Sequence, residues 1–274
     1  MAARHLRRGT WHVNHAVTVV DGRGRLHRAV LRRWARPGWE LDDPDYTAER
    51  EVGVLALLQP TAIPAPTVLA ADLNGTECGV PALLLSRLDG RPPRPGLVHL
   101  LRPLAETLAA IHRSGPEDGA GLQPYRLYYD RRRLTAASWI GAFPALARAC
   151  EVVAEGLPSG PAGLIHRDFH PGNTLWQGDR LLGVVDWTQA SWGPPALDVG
   201  HMRWNLALRW GPSAAQRFLD AYVATSGATP ADQPYWDLAS LLDRVLAAGA
   251  PGMKRQALAR LEAHARSSLR ALGG

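Results

Sequence analysis

The chain has 274 residues, 46% of them hydrophobic, which is longer than one small core needs and ordinary for a globular protein. Its formal net charge of +6 raises a nucleic-acid partner, but the arginines are dispersed apart from Arg131 to Arg133 and no nucleic-acid-binding motif accompanies them. The opening MAARHLRRGTWHV lacks the apolar core of a signal peptide and no run approaches the ~20 residues of a membrane span, so a cytoplasmic protein with neither nucleic-acid nor membrane partner is expected.

In chain order, VNHAVTVV (13 to 20) and LHRAVLRRW (26 to 34) are strand-like runs joined by the hairpin turn Asp21-Gly22-Arg23-Gly24. Asp43 or Asp45 is placed to cap a helix that runs to about Gln59 and stops before Pro60. Strands from Thr67 to Ala71 and from Val80 to Ser86 follow, around the turn Asn74-Gly75. These runs give the order strand, strand, helix, strand, strand. Leu83 to Gly96 then reads as a connector, because a buried strand gives way to Pro and Gly. Residues 97 to 113 have helical periodicity with Pro103 as a candidate kink, and 136 to 156 and 196 to 271 read as mostly helical. Cys78 and Cys150 fall in different expected lobes, so no disulfide is expected.

The chemistry concentrates in HRDFHPGN, His166 to Asn173. Asn173 follows Asp168 by five residues and Asp186, in VVDW, follows by thirteen more. Phosphoryl transfer calls for such a set: a carboxylate to orient and deprotonate the attacking hydroxyl, and an amide oxygen and a second carboxylate to hold Mg²⁺ against nucleotide phosphates. Apolar runs before the motif and on both sides of the Gly178-Asp179 turn make it a loop entering a hairpin, from which all three side chains can converge. Reading Asp168 and Asn173 as mere turn formers leaves Asp186 unexplained. Reading His166 and His170 as a zinc pair needs a helix that Pro171-Gly172 opposes. A P-loop is excluded, since the only lysine is Lys254.

His166-Arg167-Asp168, Asn173, Asp186-Trp187 and Leu197-Asp198 together resemble the aminoglycoside phosphotransferase family, the small-molecule branch of the protein-kinase-like fold that includes choline kinase relatives. The resemblance implies an α+β two-lobe fold: a nucleotide-binding lobe over 1 to 88 with a small antiparallel sheet and one helix, and a mostly helical lobe over 89 to 274 carrying the catalytic loop and acceptor site. It makes Asp168 the base, Asn173 and Asp186 the Mg²⁺ ligands and Asp198 a structural brace. It also places Arg32 where the family has lysine, with Val30 two residues earlier on the same face to pack on adenine, and sets the backbone of Ser86 and Leu88 against the adenine edge.

Two helix acids, Glu49 and Glu51, are candidates to pair with Arg32; Glu51 extends the apolar stripe of Val54, Leu55 and Leu58 and is chosen. The segment Gly9 to Asn14 occupies the place of a phosphate-covering loop but has one glycine. His170, Trp187 and the tryptophans 192, 204 and 210 are candidates for acceptor contact or plain packing. The expected activity is transfer of the γ-phosphate of ATP, with GTP the other candidate, to a hydroxyl of a small molecule with Mg²⁺. The acceptor is left open among aminoglycosides, other antibiotics, amino alcohols and sugars, as is the oligomeric state. The alternative is a nucleotide-binding pseudokinase with a regulatory or scaffold role, motivated by the missing lysine. A protein kinase fits less well, since a spacing of twelve positions from Asp186 to Asp198 leaves little room for an activation loop.

Overall fold

A computed structural model of the chain describes residues 2–6, 12–38, 46–94, 96, 98–127, 139–248 and 253–273. The chain packs into two compact units, Met1–Pro92 with Asn173–Ala190, and Pro93–Gly172 with Ser191–Gly274. Asn173–Ala190 lie far along the chain from the rest of the first unit and group with it.

The first unit is an antiparallel sheet with one helix. Strands β1 (Ala2–Leu6), β2 (Val13–Val20), β3 (Leu26–Arg33), β4 (Val68–Asp72) and β5 (Ala82–Ser86) lie in the order β1-β2-β3-β5-β4. The edge strand β1 falls where no apolar run marks a strand, because nearly all its residues are exposed. Between β2 and β3, Asp21 accepts the backbone N–H groups of Arg23 and Arg25 at 2.8 and 3.0 Å, which closes the expected turn. Alternation along β5 buries Leu83 and Leu85 and leaves Leu84 half-exposed.

Helix α1 (Ala48–Leu58) buries Ala48, Glu51, Val54, Leu55 and Leu58, a stripe at helical spacing. Its cap is Thr47, whose Oγ1 accepts the Arg50 N–H at 3.2 Å; Asp43 and Asp45, the expected caps, lie outside the described residues. Strands β7 (Thr174–Gln177) and β8 (Arg180–Val184) form the hairpin predicted downstream of the motif.

The second unit is mainly helical. It contains α2 (Leu101–His112), α3 (Pro144–Glu155), α4 (Pro195–Trp210), α5 (Pro212–Ser226), α6 (Gln233–Ala248) and α7 (Arg255–Leu272), with the short antiparallel pair β6 (Gly163–Ile165) and β9 (Ser191–Gly193). Pro103 sits in the first turn of α2, where a backbone N–H has no intrahelical partner to lose, so no kink is called for. The helix expected from 136 starts at Pro144; residues 139–143 include a 3₁₀ turn at Ile140–Ala142, and 136–138 lie outside the described residues. The N-terminus of α3 is capped from α7: the Glu262 carboxylate accepts Ala145 N–H at 2.8 Å and Leu146 N–H at 3.0 Å.

The core joins Leu146 and Val153 of α3, Leu197 and Trp204 of α4, Leu238, Leu242 and Val245 of α6 and Leu261 of α7. Each such side chain contributes about 1.5–3 kcal/mol on burial. Helices α4 and α6 approach closely at Gly200, where an added Cβ would fall 2.6 Å from the Trp236 carbonyl oxygen. Both cysteines are free. Among the described residues, no helix is long and apolar enough to cross a membrane.

Candidate active site

The predicted site residues fall into two groups, one in each unit, and each is built by its own elements. In the first unit, pairing of Thr174 with Val184 closes the hairpin, and the Val185 N–H donates to the Asn173 carbonyl at 2.9 Å. Asn173 and Asp186 therefore flank the same end of the ribbon. Asp186 has φ 73°, a left-handed backbone that a residue with a Cβ adopts only when its surroundings impose it.

Arg32 of β3 anchors that carboxylate. Its Nη1 lies 3.0 Å from Asp186 Oδ1 and 2.6 Å from Glu51 Oε1, while its Nε donates to Asn14 Oδ1 at 3.2 Å. Thr188 Oγ1 donates to Glu51 Oε2 at 3.2 Å and completes the cluster. Of the two helix acids, Glu51 is buried and Glu49 is exposed. Burial pushes the Glu51 carboxyl up from its ordinary value, and the Arg32 guanidinium opposes that push. For Arg32, burial disfavours the charge but Glu51 and Asp186 outweigh it and the guanidinium is raised, so it stays cationic. His12 lies 3.9 Å from Asp186 Oδ1 and hydrogen-bonds to the Tyr46 hydroxyl at 3.1 Å. Burial and the nearby Arg32 hold its imidazole well below the ordinary value, hence neutral.

Val30 is half-buried on the face of β3 that carries Arg32. The Ser86 N–H is taken by the Thr67 carbonyl at 2.8 Å, so a nucleotide contact at Ser86 would use its carbonyl. Leu88 packs over Gly183, where an added Cβ would stand 2.5 Å from Leu88 Cδ1. Residues 9 to 11 of the candidate phosphate-covering loop lie outside the described residues; Val13 and Asn14 belong to β2.

In the second unit, the buried strand β6 delivers the chain into the His166–Asp168 loop. Asp198, fully buried on α4, holds that loop by its backbone: Oδ2 accepts the His166 N–H and Oδ1 the Arg167 N–H, both at 2.7 Å, and His112 Nε2 is 3.2 Å from Oδ2. Burial would raise the Asp198 carboxyl, but His112 and the loop donors outweigh it and lower it. Arg167 is left-handed at φ 69°; its Nη2 donates to the Arg126 carbonyl at 2.8 Å and its guanidinium lies 5.0 Å from the centre of the Tyr125 ring.

Asp168 Oδ1 meets two imidazoles, His201 Nε2 at 3.2 Å and His170 Nε2 at 3.6 Å. Burial pushes this carboxyl up, but His170 and His201 prevail and hold it well below the usual carboxylate range. The Gly172 N–H donates to His170 Nδ1 at 2.9 Å, which puts the proton of a neutral His170 on Nε2, facing Asp168. Trp187 and Trp204 are buried packing residues, and Trp187 Nε1 donates to the Val184 carbonyl at 2.9 Å. His166 and His170 do not lie on a helix, and a 3₁₀ turn follows them at Pro171–Asn173.

A sequence profile of the phosphotransferase enzyme family matches residues 11–235. The chain belongs to that family. A homoserine kinase of Rhodopseudomonas palustris is 27% identical over 185 residues, 60% of this chain and 54% of the relative. Homoserine kinase of Pseudomonas aeruginosa is 29% identical over 216 residues, 68% and 63% of the two chains. The chain thus spans little more than half the length of the first of these relatives. Among solved structures, a thermostable mutant of aminoglycoside phosphotransferase APH(4)-Ia in ternary complex with AMP-PNP and hygromycin B superposes with TM-score 0.68 at 19% identity, covering 99% of this chain and 94% of that one. Macrolide 2′-phosphotransferase MphH of Brachybacterium faecium gives 0.62 at 22% identity, with 94% and 91% covered. These likenesses show the expected α+β, protein-kinase-like fold.

Arg32 and Glu51 form a buried ion pair in the first unit. Sequence reasoning missed Asn14 and Thr188, which support Arg32 and Glu51, and His201, which meets Asp168. None of the three carries a local signal, because each meets its partner across 18 or more positions of chain.

Proposed function

We propose that the protein is an ATP- and Mg²⁺-dependent phosphotransferase that phosphorylates a hydroxyl group of a small molecule. The observation that carries this reading is the Arg32 guanidinium shared by Glu51 and Asp186, the ion-pair arrangement of kinases with arginine in place of lysine. The Asn173 amide oxygen and Asp186 carboxylate fit Mg²⁺, a hard cation that takes few protein oxygens and completes its shell with phosphate and water. Among the described residues, no group of three or more His, Cys, Asp or Glu is disposed to hold a metal, so a closed all-protein cage is not the fitting alternative. When bound there, Mg²⁺ would neutralise charge on the phosphates.

Asp168, held ionised, orients the acceptor hydroxyl and takes its proton as the acceptor oxygen bonds to the γ-phosphorus and the bond to the bridging oxygen breaks to release ADP. Arg32 steadies the phosphates as a fixed cation. Asp198 keeps the strained loop in shape through the two backbone bonds at 2.7 Å.

The acids of the second unit bear on the acceptor. Between residues 195 and 274, Asp198 braces the loop, Asp237 pairs with Arg203, Glu262 caps α3 and Asp243 is carried on α6; Asp220 and Asp232 alone are exposed. That distribution suits a neutral or zwitterionic hydroxyl compound better than a polycation. A hydroxy amino acid is therefore the first acceptor to test, in line with the homoserine kinases among the relatives.

The test is a thermal-shift titration with ATP and GTP, each with and without Mg²⁺, on wild type and Asp186→Ala, followed by ADP release with homoserine, hygromycin B and a macrolide. A Mg²⁺-dependent rise abolished by Asp186→Ala, with turnover on an acceptor, supports the proposal. A rise without transfer to any hydroxyl compound would favour the pseudokinase, and no rise with either nucleotide would remove the nucleotide site.

A further inference from the structure

Helix α4 reaches the catalytic loop twice from one face. Asp198 takes the backbone N–H groups of His166 and Arg167 at 2.7 Å, and three residues later His201 brings Nε2 to 3.2 Å from Asp168 Oδ1. The first contact fixes the path of the strained main chain, which turns through φ 69° at Arg167. It does not fix the side chain of Asp168, which keeps its own rotamers. His201 supplies what is missing. Its side chain is only 14% exposed, its ring meets Trp204 edge-on at 5.0 Å and lies 6.0 Å from His170, and α4 carries it on a rigid turn. His170 approaches the same Oδ1 from within the loop, at the longer distance of 3.6 Å.

We propose that His201 is a positioning residue for phosphoryl transfer: the approach of its imidazole to 3.2 Å from Asp168 Oδ1, an ion-pair contact in which Nε2 makes no aligned hydrogen bond, holds the carboxylate in the orientation that receives the acceptor hydroxyl. The inference rests on the function proposed above. It concerns turnover rather than nucleotide binding, because the charged group that His201 approaches is the base. A carboxylate turned away by about 1 Å loses on the order of 100-fold in rate through misalignment alone.

The experiment compares wild type, His201→Leu and His201→Gln with an accepted hydroxyl compound, measuring kcat and KM for ATP, together with the imidazole nitrogen NMR shifts of His201 in wild type and Asp168→Asn. Glutamine is the conservative variant, since its Nε2 is a donor at a comparable reach. The expected result is a 10- to 100-fold lower kcat in His201→Leu with KM for ATP unchanged, recovery to within about threefold in His201→Gln, and a moved Nε2 shift in Asp168→Asn. Wild-type kcat in His201→Leu, or kcat and ATP affinity falling together in both variants, overturns the positioning role. Should wild type transfer phosphate to no acceptor, the proposed function fails on its own. The NMR arm then still decides the contact, and a His201 Nε2 shift unmoved by Asp168→Asn overturns it.

Discussion

Arg32 Nη1 stands 2.6 Å from Glu51 Oε1, with Arg32 and Glu51 at 8% and 1% side-chain exposure. The same nitrogen reaches Asp186 at 3.0 Å, so one buried cation ties the central strand, the helix and the hairpin end of the first unit. Arginine suits this junction because its several donors serve Glu51, Asp186 and Asn14 at once, whereas an ammonium is a single point charge.

Removing the cation should hurt more than exchanging it. Arg32→Gln leaves Glu51 buried without its partner and should cost about 3–5 kcal/mol. Glu51 is already raised by burial, so the loss should shrink on acidification: protonating Glu51 favours the folded variant, and its stability should fall as pH rises. Arg32→Lys should fold with a smaller loss. Urea unfolding at pH 5 and 8 checks both, and an Arg32→Gln loss that is flat across pH contradicts the account.

Asp168→Asn keeps the side-chain shape and removes the charge that faces His170 and His201. Turnover should drop by several orders of magnitude while nucleotide binding stays within about twofold. Because the two imidazoles hold Asp168 well below the carboxylate range, wild-type activity should show no loss from its protonation at mildly acidic pH. Single-turnover kinetics and a nucleotide titration measure the two halves of this prediction.

The loop depends on Asp198. Asp198→Ala strands the His166 and Arg167 N–H groups and takes from His112 one partner while Tyr222 remains, and should cost about 3–5 kcal/mol. The folded-state value of Asp198 is depressed, so its contribution is present above its ordinary value and is lost as pH falls through the lowered one. Unfolding of wild type and variant should therefore converge in strong acid. A variant of wild-type stability at pH 7 would deny Asp198 that bracing energy.

Legibility in the sequence followed the physics of each signal. The hairpins were readable because Asp21-Gly22 and Gly178-Asp179 punctuate apolar runs, and Glu51 was distinguishable from Glu49 because it prolongs the buried stripe of α1. Strand β1 carries no such pattern: it lies at a sheet edge with nearly every side chain in water, and only its pairing with β2 makes it a strand. His201, Asn14 and Thr188 were beyond reach for another reason. Their contacts, with Asp168, Arg32 and Glu51, span 33, 18 and 137 positions of chain, and no local periodicity encodes such a meeting.

Two groups of the second unit, the half-buried Asp243 and the buried His264, titrate in opposite senses. Burial pushes Asp243 up to about 7 against a partial pull from Arg167, and its Oδ1 has no hydrogen-bonding partner among the described residues. Burial and Arg203 push His264 down to about 3. The folded protein binds more protons than the unfolded chain at Asp243 between about pH 4 and 7, so that residue lowers stability as pH rises through this window. At His264 the unfolded chain binds more protons between about pH 3 and 6.5, so that residue raises stability with pH. The two slopes oppose each other over most of the same interval. Asp243→Asn removes one of them: its stability gain over wild type should be near zero at pH 4, grow to a few kcal/mol by pH 7 and level off above it. Urea unfolding of both proteins at pH 4.5, 6 and 8 tests this, and a difference that does not change with pH would mean that Asp243 titrates in the folded protein as it does in the open chain.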